Sequence, residues 1–210
     1  MRTGGLKIHP GGERLTCRLV ELAHFAPGDT ILDLGCGSGS SMEYLRRNHQ
    51  LKVIGIDKDP GIRRINPEVI SAPAEEIPLS GHSLDGVLME CSLSLMDDRD
   101  RVLRECHRVL KPGGRVAIAV LYARGEPARL KGSLGTIDSK EGLTDLLERN
   151  RFTVESFEDH THALQTLWGQ MIFDKGTTGF YESMATDREE MKSVRCGYCL
   201  MVASANLPLP

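Results

Sequence analysis

No apolar run in the 210 residues approaches the roughly 20 positions that a membrane span needs, and the opening Met-Arg-Thr-Gly-Gly-Leu-Lys lacks the apolar segment of a secretory signal. A cytoplasmic protein is expected. Positive charge is not in excess either: 26 Lys and Arg face 29 Asp and Glu, a formal net of -3, so no basic surface points to nucleic acid. A small or protein substrate is the default, a small molecule first, with no nucleic acid and no membrane. The six cysteines form no framework. Cys17, Cys36, Cys91, Cys106, Cys196 and Cys199 are scattered except for Cys196-Gly-Tyr-Cys199, and free thiols are expected. That last pair sits in an apolar strand, where residues three apart point to opposite faces, so it reads as packing thiols. Internal repeats, linkers and low-complexity segments are absent, and the length suits one domain over 1–210.

What is present is organised around residues 31–39, Ile-Leu-Asp-Leu-Gly-Cys-Gly-Ser-Gly. An apolar run carrying one acid and ending in three alternate glycines reads as a buried strand that breaks into a turn bare of side chains ahead of a helix. A nucleotide-like ligand can lie against such backbone, with the N–H groups of the helix start turned toward it. The dinucleotide fingerprint requires a glycine three residues after its second, and Ser40 holds that place after Gly37. The pattern is Asp-x-Gly-x-Gly-x-Gly instead.

Strands and helices alternate around this turn. A glycine-dotted arm, 1–12, is expected as a lid or frayed end, followed by an amphipathic helix over 13–25, a helix over 40–49 and a second strand over 52–57. That strand ends on Asp57, placed to accept ribose hydroxyls. A short third strand over 69–71 and a fourth over 84–89 follow, the latter delivering Glu90, Cys91 and Ser92 at its carboxyl end, where open α/β sheets gather their ligands. A helix over 98–110 and an apolar strand over 115–121 complete five alternations, which predicts a parallel sheet covered on both faces.

Beyond Leu121, residues 122–137 read as a loop over the strand ends. A helix capped by Ser139, a sixth strand over 152–157 and a helix over 163–173 come next. Between the last two, Glu158-Asp159-His160-Thr161-His162 suits a helix cap first, substrate contact second and a metal third, since no further ligand pattern completes a metal site. Residues 174–195 are polar, and 122–195 as a whole is expected on the substrate side. The last strand, 196–203, is expected to pair antiparallel at the sheet edge.

Five stretches then line up in order. Residues 31–39, Val-Ile-Gly-Ile-Asp over 53–57, Ala-Glu-Glu-Ile-Pro over 74–78, Ser-Leu-Asp-Gly-Val over 83–87 and Arg-Val-Leu-Lys-Pro-Gly-Gly-Arg over 108–115 resemble the class I S-adenosylmethionine-dependent methyltransferases. The resemblance spans about residues 13–121 and implies a doubly wound, Rossmann-like sheet of seven strands, mostly parallel, with helices on both faces and an antiparallel last strand. It implies S-adenosyl-L-methionine as cofactor, with Asp33 and the turn of Gly35, Cys36, Gly37 and Gly39 at its methionine part. It also implies Asp57, with Lys58 beside it, at the ribose and Ala74 and Glu75 at the adenine. The family's usual acid before that alanine is Pro73 here, so the Ala74 backbone or the Glu75 carboxylate takes its place.

Glu90 stands at the meeting of cofactor and acceptor and is the expected base or orienting group. Cys91, Ser92, Tyr122, His160 and His162 are expected to face the acceptor. Methyl transfer needs alignment of three atoms and no obligatory acid or metal; no metal is expected. Other readings of the same residues are a methyltransferase acting on a protein or a metalloid, a cofactor-binding sensor or assembly protein without transfer, and an NAD-dependent oxidoreductase, which Ser40 disfavours.

Overall fold

The computed structural model describes residues 9–206. Most of the expected N-terminal arm (1–8) and the 207–210 tail lie outside them. The first helix, α1 (Gly12–Leu22), buries Leu15, Thr16, Leu19 and Val20 along one stripe. After it come β1 (Thr30–Leu34), α2 (Ser40–His49), β2 (Lys52–Asp57), a single turn α3 (Ile62–Ile65), the short β3 (Ile70–Ser71) and β4 (Leu84–Glu90). A 3-10 turn over Leu93–Leu95 leads to α4 (Arg99–Val109), whose start is capped by the Asp98 carboxylate accepting from the Arg101 amide at 2.9 Å. The chain continues through β5 (Leu110–Ala123), β6 (Ala128–Leu130), β7 (Gly135–Ile137), α5 (Lys140–Arg149) and β8 (Phe152–Asp159). It closes with α6 (Thr161–Met184), α7 (Arg188–Val194) and β9 (Cys196–Ala205).

The main sheet has seven strands in the order β3-β2-β1-β4-β5-β9-β8. β1 to β5 pair in parallel, and β9 runs antiparallel to both of its neighbours. The fold is therefore the doubly wound, Rossmann-like one. Order reverses between β1 and β4, and the glycine turn at the end of β1 lies at that switch point, where such sheets bind their ligands. One correction concerns β9. It lies inside the sheet between β5 and β8, with β8 at the edge, because residues 197 to 203 are buried on both faces, which an edge strand with one solvated face does not require.

One face of the sheet packs on α1, α2 and the start of α6 through Leu15, Leu19, Met42, Leu45, Ala163 and Leu164 against Leu88, Ala117, Ala119 and Tyr198. The opposite face packs on α4 and α5 through Val102, Cys106, Leu143 and Leu147 against Met89, Val116, Ile118 and Val120. A third, smaller core joins Ala123, Leu130, Leu134, Ile137, Phe180, Met191 and Val194. It belongs to a cap at the carboxyl end of β5, and it corrects the reading of 122–137 as a loop. Tyr122 and Ala123 are strand, and β6 and β7 form an antiparallel hairpin whose Leu130 and Ile137 are buried in that third core.

α6 is two helices rather than one. Gly176 has φ 71° and ψ 166°, a conformation reserved in practice for glycine. Trp168 and Phe180, twelve residues apart, bring their ring centroids to 5.7 Å, whereas an unbroken helix would separate them by about 18 Å. The chain reverses at Gly176 and folds back on itself.

Candidate functional site

The glycine turn is held from below. Gly35 and Cys36 donate their amides to the Ile56 carbonyl at 2.8 and 3.2 Å, and the Gly37 amide donates to Asp57 Oδ2 at 2.9 Å. Gly35 has φ 80°, and a Cβ there would sit 2.5 Å from the Ser92 Cβ, so only glycine fits. Gly37, at φ 52°, has nothing within 4 Å of where its Cβ would be: backbone there faces open space that a ligand can occupy.

Three carboxylates surround this turn. Asp33 is 2% exposed, and its Oδ2 is buried with no hydrogen-bond partner among the described residues. Burial first, then repulsion from Glu90 and Asp57, pushes its carboxyl well above the usual carboxylate range. Asp57 accepts from the Gly37 amide on one oxygen and from the Asp59 amide, at 2.9 Å, on the other, which leaves a free lone pair on each. Glu90 accepts from Thr16 Oγ at 2.8 Å and Ser41 Oγ at 2.6 Å, so α1, α2 and the tip of β4 meet on its carboxylate. His9 Nε2 lies 3.7 Å from the same group and 3.2 Å from the Thr16 hydroxyl.

A buried carboxylate without a partner, flanked by two more, repels an anionic pyrophosphate and suits a ligand that brings positive charge. S-adenosylmethionine, with its sulfonium and ammonium, fits this donor set.

The remaining expected residues divide. Cys36 is a half-buried thiol pushed up to about 12 by burial and the nearby acids. Lys58 is exposed, 3.8 Å from Asp97. Ala74 is half-buried; Glu75 offers its carbonyl to Arg101 Nε at 3.0 Å and borders a hollow shared with Arg101 and Arg104 of α4. Cys91 has φ 55°, and this left-handed step matters. Strand alternation would send Cys91 to the α4 face, yet it packs with the α1 and α2 core, its sulfur 3.4 Å from the Tyr198 hydroxyl. Glu90 and Cys91 thus share one face.

Ser92 does not face a ligand: it is buried, and its hydroxyl donates to the Leu34 carbonyl at 2.6 Å, flooring the glycine turn. Tyr122 lies on the opposite face of the sheet, its ring against Phe157 and its hydroxyl donating to Asp159 at 3.1 Å. His160 is 3.1 Å from Glu158, which also takes two bonds from Arg18 of α1, and His162 is exposed. Asp159 accepts from the Thr161 amide at 2.7 Å at the start of α6, whose N-cap, His160, makes no side-chain cap bond. Among the described residues, no three His, Cys, Asp or Glu side chains are grouped as metal ligands.

Sequence reasoning missed Thr16, Ser41 and Tyr198. Thr16 carried a signal, a polar residue within the apolar stripe of α1. Tyr198 carried none, because only the pairing of β9 with β5 brings it beside Cys91.

Known proteins resemble this chain most over its first five parallel strands. A model described as a methyltransferase domain matches residues 32–118, which run from β1 through β5 and hold the glycine turn, Asp57 and Glu90. Methyltransferase GfsG of Streptomyces halstedii is 35% identical over 126 residues, covering 54% of this chain and 45% of its own length. An uncharacterized methyltransferase of Bacillus subtilis, YodH, is 29% identical over 225 residues, covering 93% of this chain and 92% of its own. The chain spans about half the length of the first curated relatives it matches. Among solved structures, the [4+2]-cyclase SpnF superposes with a TM-score of 0.74 at 22% identity, over 94% of this chain and 82% of that one. No helix among the described residues is long and apolar enough to cross a membrane. The matched segment, the acidic glycine turn and the strand order together make this chain similar to the class I S-adenosylmethionine-dependent methyltransferases.

Proposed function

We propose that this chain transfers the methyl group of S-adenosylmethionine to a small-molecule acceptor. The observation that carries the reading is Asp33, buried beside the glycine turn with an unpartnered oxygen and two neighbouring carboxylates. When bound, the cofactor supplies a methyl on a sulfonium, which a positioned nucleophile can take without an acid or a metal. The protein's task is then binding and alignment. Asp33 and the Gly35–Gly39 backbone hold the cationic end. Asp57, with its carboxylate fixed by two amides, receives the ribose hydroxyls on its free lone pairs. Ala74 and Glu75 border the adenine, and exposed Lys58 contributes only at the rim.

Glu90 serves as a fixed negative charge rather than a base. Two short hydroxyl bonds, from helices on both sides, hold its oxygens in place, and leaving them to fetch a proton would strand two donors. Cys91 lies beside it toward the acceptor, and the cap built from β6, β7, the second half of α6 and α7 closes that side.

The test is calorimetric binding of S-adenosylmethionine together with transfer of its labelled methyl into a metabolite extract. Saturable binding that Asp33→Asn weakens by about tenfold or more, consistent with loss of a charge-assisted contact, and label in an extracted small molecule are expected. Binding without any transfer would instead support a sensor or assembly role. SpnF, described as a cyclase, shows that this fold alone does not fix the reaction.

A further inference from the structure

Four half-buried apolar side chains lie along the carboxyl edge of the sheet beyond Glu90, and they come from four different parts of the chain. Cys91 follows β4, Leu121 lies near the end of β5, Cys196 opens β9 and Trp168 lies on α6. Leu121, Trp168 and Cys196 each pack against both the α1-side core and the core of the cap. They therefore line the seam between the sheet and the cap. The pairing Leu121↔Tyr198 and Ala123↔Cys196 puts these strand residues on the face that carries Glu90, and the left-handed backbone of Cys91 adds its sulfur to the same face. A non-glycine residue in this conformation costs about 1–3 kcal/mol and persists where the surrounding structure requires it.

Among the described residues, the charged groups at the Glu90 end of this seam are already engaged. Glu90 is held by hydroxyls from α1 and α2. Arg18, Glu158 and His160, the charged groups where α1 meets the end of β8, are bonded to one another. Tyr122 and Arg124 lie on the opposite face, crowding Gly197. The thiols of Cys91 and Cys196 are both pushed up to about 11 by burial, so they stay neutral. Glu90 and its acidic neighbours repel an anion, and among the described residues the carboxylates at this seam, Glu90 and Glu158, already hold partners.

Resting on the methyltransferase reading above, we propose that the acceptor is a neutral, predominantly apolar molecule seated on the wall of Cys91, Leu121, Trp168 and Cys196. Trp168 is the chain's single tryptophan, so its fluorescence reports this wall alone.

The experiment titrates the full chain, with and without S-adenosylhomocysteine, with nitrobenzene, a neutral ring that quenches indole emission on contact. Benzoate and benzylamine, rings of similar size carrying opposite charges, are then added as competitors. Saturable quenching is expected, with both charged rings competing about tenfold more weakly, since each would carry an unpaired charge into an apolar wall. Leu121→Arg and, separately, Cys196→Arg are each expected to turn the quenching linear and collisional, with homocysteine-ligand affinity within about twofold of the parent because neither residue touches the glycine turn. Linear quenching in the parent chain, or stronger competition by either charged ring, would overturn the proposal. Failure of S-adenosylhomocysteine to bind while quenching remains saturable would count against the cofactor reading and leave the apolar wall standing.

Discussion

Asp33 concentrates the cost and the use of this site in one side chain. In the ligand-free protein its carboxyl is raised by burial and by two neighbouring acids, so the unfolded chain gives up this proton at lower pH than the folded one does. The sign follows directly: the folded state is favoured below the ordinary carboxylate pKa, and the advantage is lost as pH rises toward the raised value. Asp33→Asn removes the penalty. Its ligand-free melting temperature at neutral pH is expected to exceed the parent's, while cofactor binding falls; a calorimetric scan and a binding titration on the same sample check both. An unchanged melting temperature would mean that Asp33 is relieved by a partner other than a ligand. The residue pattern Asp-x-Gly-x-Gly-x-Gly was legible in the sequence because each member does its work through the local backbone. Ser92 was misread as ligand-facing for the converse reason. Its role as the floor of Gly35 depends on β1 and β4 lying side by side.

At the scale of elements, α1 is tied to the site by one hydroxyl. Thr16 is 1% exposed and donates to Glu90, so Thr16→Val leaves a carboxylate oxygen short of a donor inside the fold, at a cost of about 1–3 kcal/mol. A lower melting temperature and weaker cofactor binding are expected, both restored by Thr16→Ser, which keeps the hydroxyl; restoration of neither by serine would assign the effect to packing alone. The reversal at Gly176 is the other element-level device. Gly176→Ala places a Cβ on a backbone conformation that L residues avoid, and the two halves of α6 are expected to part. Trp168 would then lose the edge of Phe180, read as a red shift and greater acrylamide quenching of the single tryptophan. Element positions of β1, α2 and β2 followed from apolar runs and glycine breaks. The hairpin β6–β7 did not, because three-residue strands carry too little periodicity to register and are stabilised only by the cap core.

For the molecule as a whole, binding and proton release are linked. A cation entering beside Asp33 favours its ionised form, so affinity for S-adenosylmethionine is expected to strengthen as pH rises, until Asp33 is ionised without help. S-adenosylhomocysteine, lacking the sulfonium, is expected to show a shallower dependence; equal slopes in paired calorimetric titrations would remove Asp33 as the linked group. Either ligand adds stability by mass action, about 2.7 kcal/mol at a hundredfold excess over Kd, and this should appear as a rise in melting temperature that is about halved in Asp33→Asn when its binding is tenfold weaker.

The amino-acid sequence by itself determined the alternation of strands and helices, the glycine turn and the acids around it, because these depend on periodicity and on backbone freedom within a few residues. Only the tertiary structure decided which residues share a face. Strand order put β9 inside the sheet and Tyr198 beside Cys91, a single left-handed residue turned Cys91 onto the side of Glu90, and Tyr122 went to the other side. Thr16, Ser41 and Glu90 lie far apart in the chain, and what joins them is the packing of two helices on one sheet face. No local pattern encodes a contact of that kind.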